Sequence, residues 1–151
     1  MKTLIAVLII ISSANCFSAE DISMLNTLKG KPATLYDIGK LKLEVAALEI
    51  SRQKSGERVK GTKFTLDKVS TIESENTLGV KLSYSARSKY ITDNSCKQLQ
   101  LNNQSKFNPE VLAKDLWPML DEKSLKGVSR NLTVATELVD EDNDQLTIVC
   151  Y

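Results

Sequence analysis

The chain is expected to be an exported α+β protein. The predicted core is an antiparallel sheet of about four strands, built as two hairpins with helices on one face, in the order α-β-β-α-β-β. Three observations lead there. Apolar residues recur at helical spacing between Leu35 and Ile50, four later segments alternate apolar and polar residues, and the N-terminus is laid out as a secretion signal that leaves two cysteines behind.

Residues 1–19 supply the signal: Met1-Lys2 is the positive start, Leu4 to Ile11 the apolar run, and Ser12 to Ala19 the small, polar cleavage region. Cleavage falls between residues 16 and 19 and removes Cys16. Cys16 is a poor lipid-attachment site, because Ser13 and Asn15 stand where a lipobox has Leu and a small residue. The apolar run is shorter than the roughly 20 residues of a membrane span. Residues 20–151 then form a single domain, periplasmic or secreted, with no transmembrane segment in the mature chain.

A lead-in over residues 20–33 ends at the breaker Gly30-Lys31-Pro32. Thr34 is placed to cap the first helix, with Asp37 three residues on. Leu35, Ile38, Leu41, Val45 and Leu48 make one apolar stripe, and Tyr36, Leu43, Ala47 and Ile50 make a second on nearly the opposite face. Two stripes need two packing partners, one of which is either more of this protein or another molecule.

Arg52 to Lys63 is a basic connection. Residues 62–73 and 77–88 read as the first hairpin, with a one-residue slip after Leu66 that indicates a bulge. Thr92-Asp93-Asn94 caps a short helix carrying Cys96 and Leu99. Asn108-Pro109-Glu110 starts another, which Pro118 ends near Leu116. Gly127 marks a break. Leu132 to Leu138 and Leu146 to Cys150 alternate as the second hairpin. A shift of 68 positions superimposes the two hairpins, which suggests a duplicated helix–hairpin unit.

Cys96 and Cys150 are the expected disulfide, since an exported pair this far apart is structural rather than a Cys-x-x-Cys redox site. Histidine is absent, which removes the common Ser-His-Asp and Cys-His machinery and most zinc sites. Asp140 to Asp144 imitates the start of a calcium loop, but Gln145 and Tyr151 stand where Gly and Glu are required. No metal and no cofactor are expected. Once Lys2 leaves with the signal, 19 basic residues balance 19 acidic ones, which argues against nucleic acid as a partner.

The sequence therefore points to a small non-enzymatic protein that binds another macromolecule in the envelope or outside the cell, either an accessory factor or an inhibitor or immunity protein of a secreted enzyme. Tyr36, Leu43 and Ile50 are its expected partner contacts. A carboxylate-based envelope hydrolase and a structural homodimer are the alternatives. The basic connection, holding Arg52, Lys54, Arg58, Lys60 and Lys63 against Glu57, is either a hydrated loop or a contact for an anionic polymer or headgroup.

Overall fold

A computed structural model describes residues 35–143 and 146–151; the signal, the lead-in and the proposed Thr34 cap lie outside them. Helix α1 (Leu35–Lys54) is followed by strands β1 (Thr65–Glu73) and β2 (Leu78–Ala86). A short 3₁₀ turn (Ser88–Tyr90) leads into helices α2 (Asp93–Lys106), α3 (Pro109–Leu116) and α4 (Glu122–Ser129), and strands β3 (Leu132–Asp140) and β4 (Thr147–Cys150) complete the chain.

Local chemistry sets most of these boundaries. The Thr92 side chain accepts from Ser95 N–H and starts α2, and Asn108 does the same for Glu110 N–H ahead of Pro109 at the first turn of α3. Helix α3 stops at Leu116, one residue before the position that Pro118 restricts. Asp121 caps α4 by accepting from Ser124 N–H. Gly127 does not break the chain as expected: it lies inside α4, where the cap and the apolar residues Leu125 and Val128 outweigh the helix penalty of one glycine.

Both expected hairpins form. β1 pairs antiparallel with β2, with the register shift between Leu66 and Lys68 that the hydrophobic slip foretold, and β3 pairs antiparallel with β4. The sheet as a whole is mixed, however. Its order is β1-β2-β3-β4, and β2 runs parallel to β3 from Leu78↔Leu132 to Ala86↔Asp140. Three helices between the hairpins carry the chain back to the end of the sheet where β2 began, and a parallel pair needs such a crossover. Alternation shows which face a side chain takes and says nothing of the neighbouring strand's direction. The element order also differs from the expected α-β-β-α-β-β, because three helices rather than one stand between the two hairpins.

One face of the sheet forms the core, with Leu82, Tyr84, Val134 and Leu138 beneath α1 and α2. α2 crosses the parallel seam and is fastened there by buried polar groups. Tyr84 Oη donates to Asn103 Oδ1 (2.8 Å), Asn103 Nδ2 donates to Thr136 Oγ1 (2.8 Å), and Thr136 Oγ1 donates to Gln100 Oε1 (2.6 Å). Gln100 Nε2 completes the chain on the Val134 carbonyl (2.5 Å). Burial pushes the Tyr84 phenol up, so it remains a donor across the accessible pH range. A disulfide joins Cys96 on α2 to Cys150 on β4, with Cα atoms 6.1 Å apart, as the sequence leads one to expect.

α1 is held against the β1 side of this core. Trp117, at the end of α3, presses its ring on Gly39 and donates Nε1–H to the Leu35 carbonyl (2.6 Å). A Cβ at position 39 would lie 2.2 Å from Trp117 Cζ2, so this helix face needs glycine. Tyr36 Oη donates to Glu73 at the end of β1, and Ser51 Oγ accepts from Val69 N–H (3.2 Å) at its middle.

The Asn103 clamp yields a stability prediction. Asn103→Leu strands the Tyr84 hydroxyl in the core and is expected to cost about 2–3 kcal/mol. Leu101→Ala, at a side chain 67% exposed on the same helix, should change stability by less than about 0.5 kcal/mol. Guanidinium unfolding followed by the fluorescence of Trp117, the single tryptophan, measures both.

Candidate functional site

The two stripes of α1 differ in burial, although Leu35, at the start of the first, also packs partly against the core and Ile38 is half-buried. Tyr36, Gly39, Leu43 and Ala47 face the core, Leu43 being only 1% exposed. Ile50 is partly buried against the same cluster. The stripe offered as the partner contact is therefore the one that holds the helix to the sheet, and this relocates the candidate surface. Leu41, Val45 and Leu48 point the other way, with exposures of 58, 41 and 72%. Helical spacing puts the three in one line, flanked by Asp37 and Glu44 on one side and Glu49 on the other, with Arg52 at its end.

The sequence showed both stripes but could not rank them. Each has four or five apolar residues at matching intervals, and Leu48 is as apolar as Leu43. The signal that separates them is glycine: Gly39 belongs to the Tyr36–Leu43–Ala47 line and marks a face closely approached by another group, here Trp117. A residue-by-residue hydrophobicity reading gives glycine no weight.

The carboxylates that the structure perturbs do not assemble a hydrolytic pair. On the sheet face opposite the helices, Glu137 accepts from Lys81 Nζ (2.9 Å) and Ser83 Oγ (2.5 Å) across the β2–β3 seam. Burial alone would raise its pKa, but the hydrogen bonds from Ser83 and Lys81 and the charges of Lys81 and Lys68 outweigh that and hold it below the usual carboxylate range. Asp121 is held down by the backbone N–H and hydroxyl of Ser124. Asp140 is lowered by its bond from the Ser88 hydroxyl and by the turn N–H groups of Asp142 and Asn143. A general acid needs a shift in the other direction.

Asp140 is turned inward to close the β3–β4 connection, accepting from Asp142 N–H (2.9 Å), so it serves the turn rather than a cation. Asp144 and Gln145, two positions of the rejected calcium loop, lie outside the described residues. Among the described residues no group of three or more potential metal ligands converges, and no helix is long and apolar enough to cross a membrane. Compared with known protein families, curated proteins and solved structures, the chain shows no match.

Two expected outcomes follow from these positions. Leu43→Asp should unfold the protein, because it buries an unpaired charge, whereas Leu48→Asp should leave the circular dichroism spectrum and the unfolding midpoint nearly unchanged. Glu137, with its folded pKa lowered, contributes stability above its unfolded value near 4.5, and the contribution disappears as pH falls through the folded value. Glu137→Gln should therefore be less stable than the parent at pH 7, and the two should converge in acid; parallel denaturation curves at several pH values test this.

Proposed function

We propose that this is an exported binding module, an accessory factor or inhibitor, that holds a segment of another protein on the outward face of α1. One observation supports the reading most directly: Leu41, Val45 and Leu48 form an exposed apolar line on a helix whose opposite stripe already satisfies its need for burial. Export fits the signal-like residues 1–19 and the Cys96–Cys150 bridge.

The rim of the stripe argues for the chemistry of the occupant. Asp37, Glu44 and Glu49 place carboxylates along both sides; Arg52 stands at the end, and Lys42, in line with Glu49, is drawn away to the Leu116 carbonyl (3.0 Å). The matching partner is an amphipathic segment with apolar residues at helical spacing and Lys or Arg beside them, laid helix against helix. A second copy of the chain suits the surface less well, because an antiparallel two-fold pairing centred on Val45 brings Glu44 of each copy near the other.

Synthetic helical peptides sharing one apolar stripe, flanked by Lys in one version and by Glu in the other, test the proposal by titration. The Lys-flanked peptide is expected to bind and the Glu-flanked one to bind at least tenfold more weakly. Leu41→Glu with Leu48→Glu should abolish the interaction, and Glu44→Lys with Glu49→Lys should reverse the charge preference. Equal binding of both peptides, or binding unaffected by these variants, would overturn it. So would a concentration-dependent dimer in sedimentation that Leu48→Glu dissolves, since the stripe would then belong to a homodimer.

A further inference from the structure

The basic connection between α1 and β1 does more than span a gap. Between Glu57 and Leu66 it folds into a closed loop: Gly56 N–H donates to the Leu66 carbonyl (2.8 Å), Leu66 N–H to the Glu57 carbonyl (2.9 Å) and Val59 N–H to the Phe64 carbonyl (2.9 Å). Gly61 sits at its tip with φ +77°, where a residue with a side chain would be strained. Thr62 locks the tip by donating both its N–H (3.0 Å) and its hydroxyl (2.9 Å) to the Val59 carbonyl.

This loop stands against α2 and encloses an open-mouthed cavity of about 400 Å³. Lys60 and Lys63 line it from the loop, Gln98 and Asn102 from α2, and Phe64 and Leu99 supply apolar wall. Tyr90 contributes a further wall, and its ring carries the Lys89 ammonium 5.0 Å from its centroid. The charge is not matched locally. Lys40, Lys54 and Lys81 have carboxylate partners, whereas Lys60 and Lys63 enter no ion pair among the described residues. Glu57, the one acid of the connection, is taken by Lys54. Among the described residues no carboxylate lines the cavity.

We infer that this cavity is a binding site for an acidic sugar, a hydroxyl-rich ring bearing a carboxylate, such as a uronate unit of an anionic glycan. Gln98 and Asn102 are four apart on one helix face, and each amide both donates and accepts, as a pair of neighbouring hydroxyls requires. Lys60 and Lys63 meet the carboxylate from the opposite lip through charge-assisted hydrogen bonds. Phe64, Leu99 and Tyr90 cover the C–H side of the ring. The volume is that of a small-ligand site, and the closed loop fixes the backbone from which the two exposed lysines reach, so that binding has to order only their side chains. An acidic peptide shares the charge but does not account for two amides set as a pair. The site uses none of the residues of the α1 stripe.

Titration calorimetry of the purified, disulfide-bonded protein with trigalacturonate, at fixed ionic strength, tests the inference. Binding is expected, weakened at least tenfold by Lys60→Gln with Lys63→Gln and severalfold by Gln98→Ala or Asn102→Ala. Lys114→Gln, on the exposed side of α3, should leave it unchanged. The methyl-esterified trisaccharide should bind at least tenfold more weakly than the free acid. Absence of binding would overturn the inference, as would equal weakening by Lys114→Gln. Displacement by inorganic phosphate or a tetraglutamate peptide as effective as the uronate itself would also overturn it, reassigning the cavity to simple anions or acidic peptides.

Discussion

The four hydrogen bonds linking Tyr84, Asn103, Thr136, Gln100 and the Val134 carbonyl are the constraint on which the fold turns. They join β2, α2 and β3, and so tie together the two hairpins that the chain builds separately. An apolar contact at the same place would tolerate α2 sliding along the sheet or the second hairpin docking the other way round. Buried amides and hydroxyls do not, because a shift of one residue leaves a donor unpaired in a medium that cannot solvate it. The Cys96–Cys150 bridge acts in the same region and holds the far edge strand, β4, to the same helix.

α1 depends on that frame without being part of the clamp. Its inward stripe packs beside β1, and Trp117 fastens its first turn from the end of α3, so the crossover helices support the helix that precedes both hairpins. The arrangement covers one side of α1 and stops. What remains outward is a short apolar line with acidic borders, a surface that the chain's described parts do not need. The loop that follows α1 shows a related economy: its backbone is closed on itself, and its lysines are left facing a cavity rather than carboxylates.

Much of the fold was legible along the chain because its signals are local. The bulge after Leu66, the caps at Thr92 and Asn108, the stop before Pro118 and both hairpins are each governed by a few neighbouring residues. Where reading failed, the controlling interaction was distant. Gly127 looked like a breaker, yet α4 runs through it because its neighbour Val128 is buried in the core. The partner surface was assigned to Tyr36, Leu43 and Ile50 because two equal stripes cannot be told apart without knowing which one Trp117 and β1 cover.

The basic loop belongs to the same class of omission. Its charge was visible, but its opposition to Gln98 and Asn102 on α2, across an intervening hairpin, was not. By itself, then, the sequence determined the α+β class, the starts of α2 and α3 and the stop of α3, the two hairpins and the identity of the cysteine pair, since each follows from periodicity, capping or elimination. Only the tertiary structure decided that β2 lies parallel to β3, which stripe of α1 faces inward, and which side chains share a cavity. Those outcomes depend on how long crossovers bring remote residues together, and neither period nor propensity encodes the direction from which a neighbour arrives.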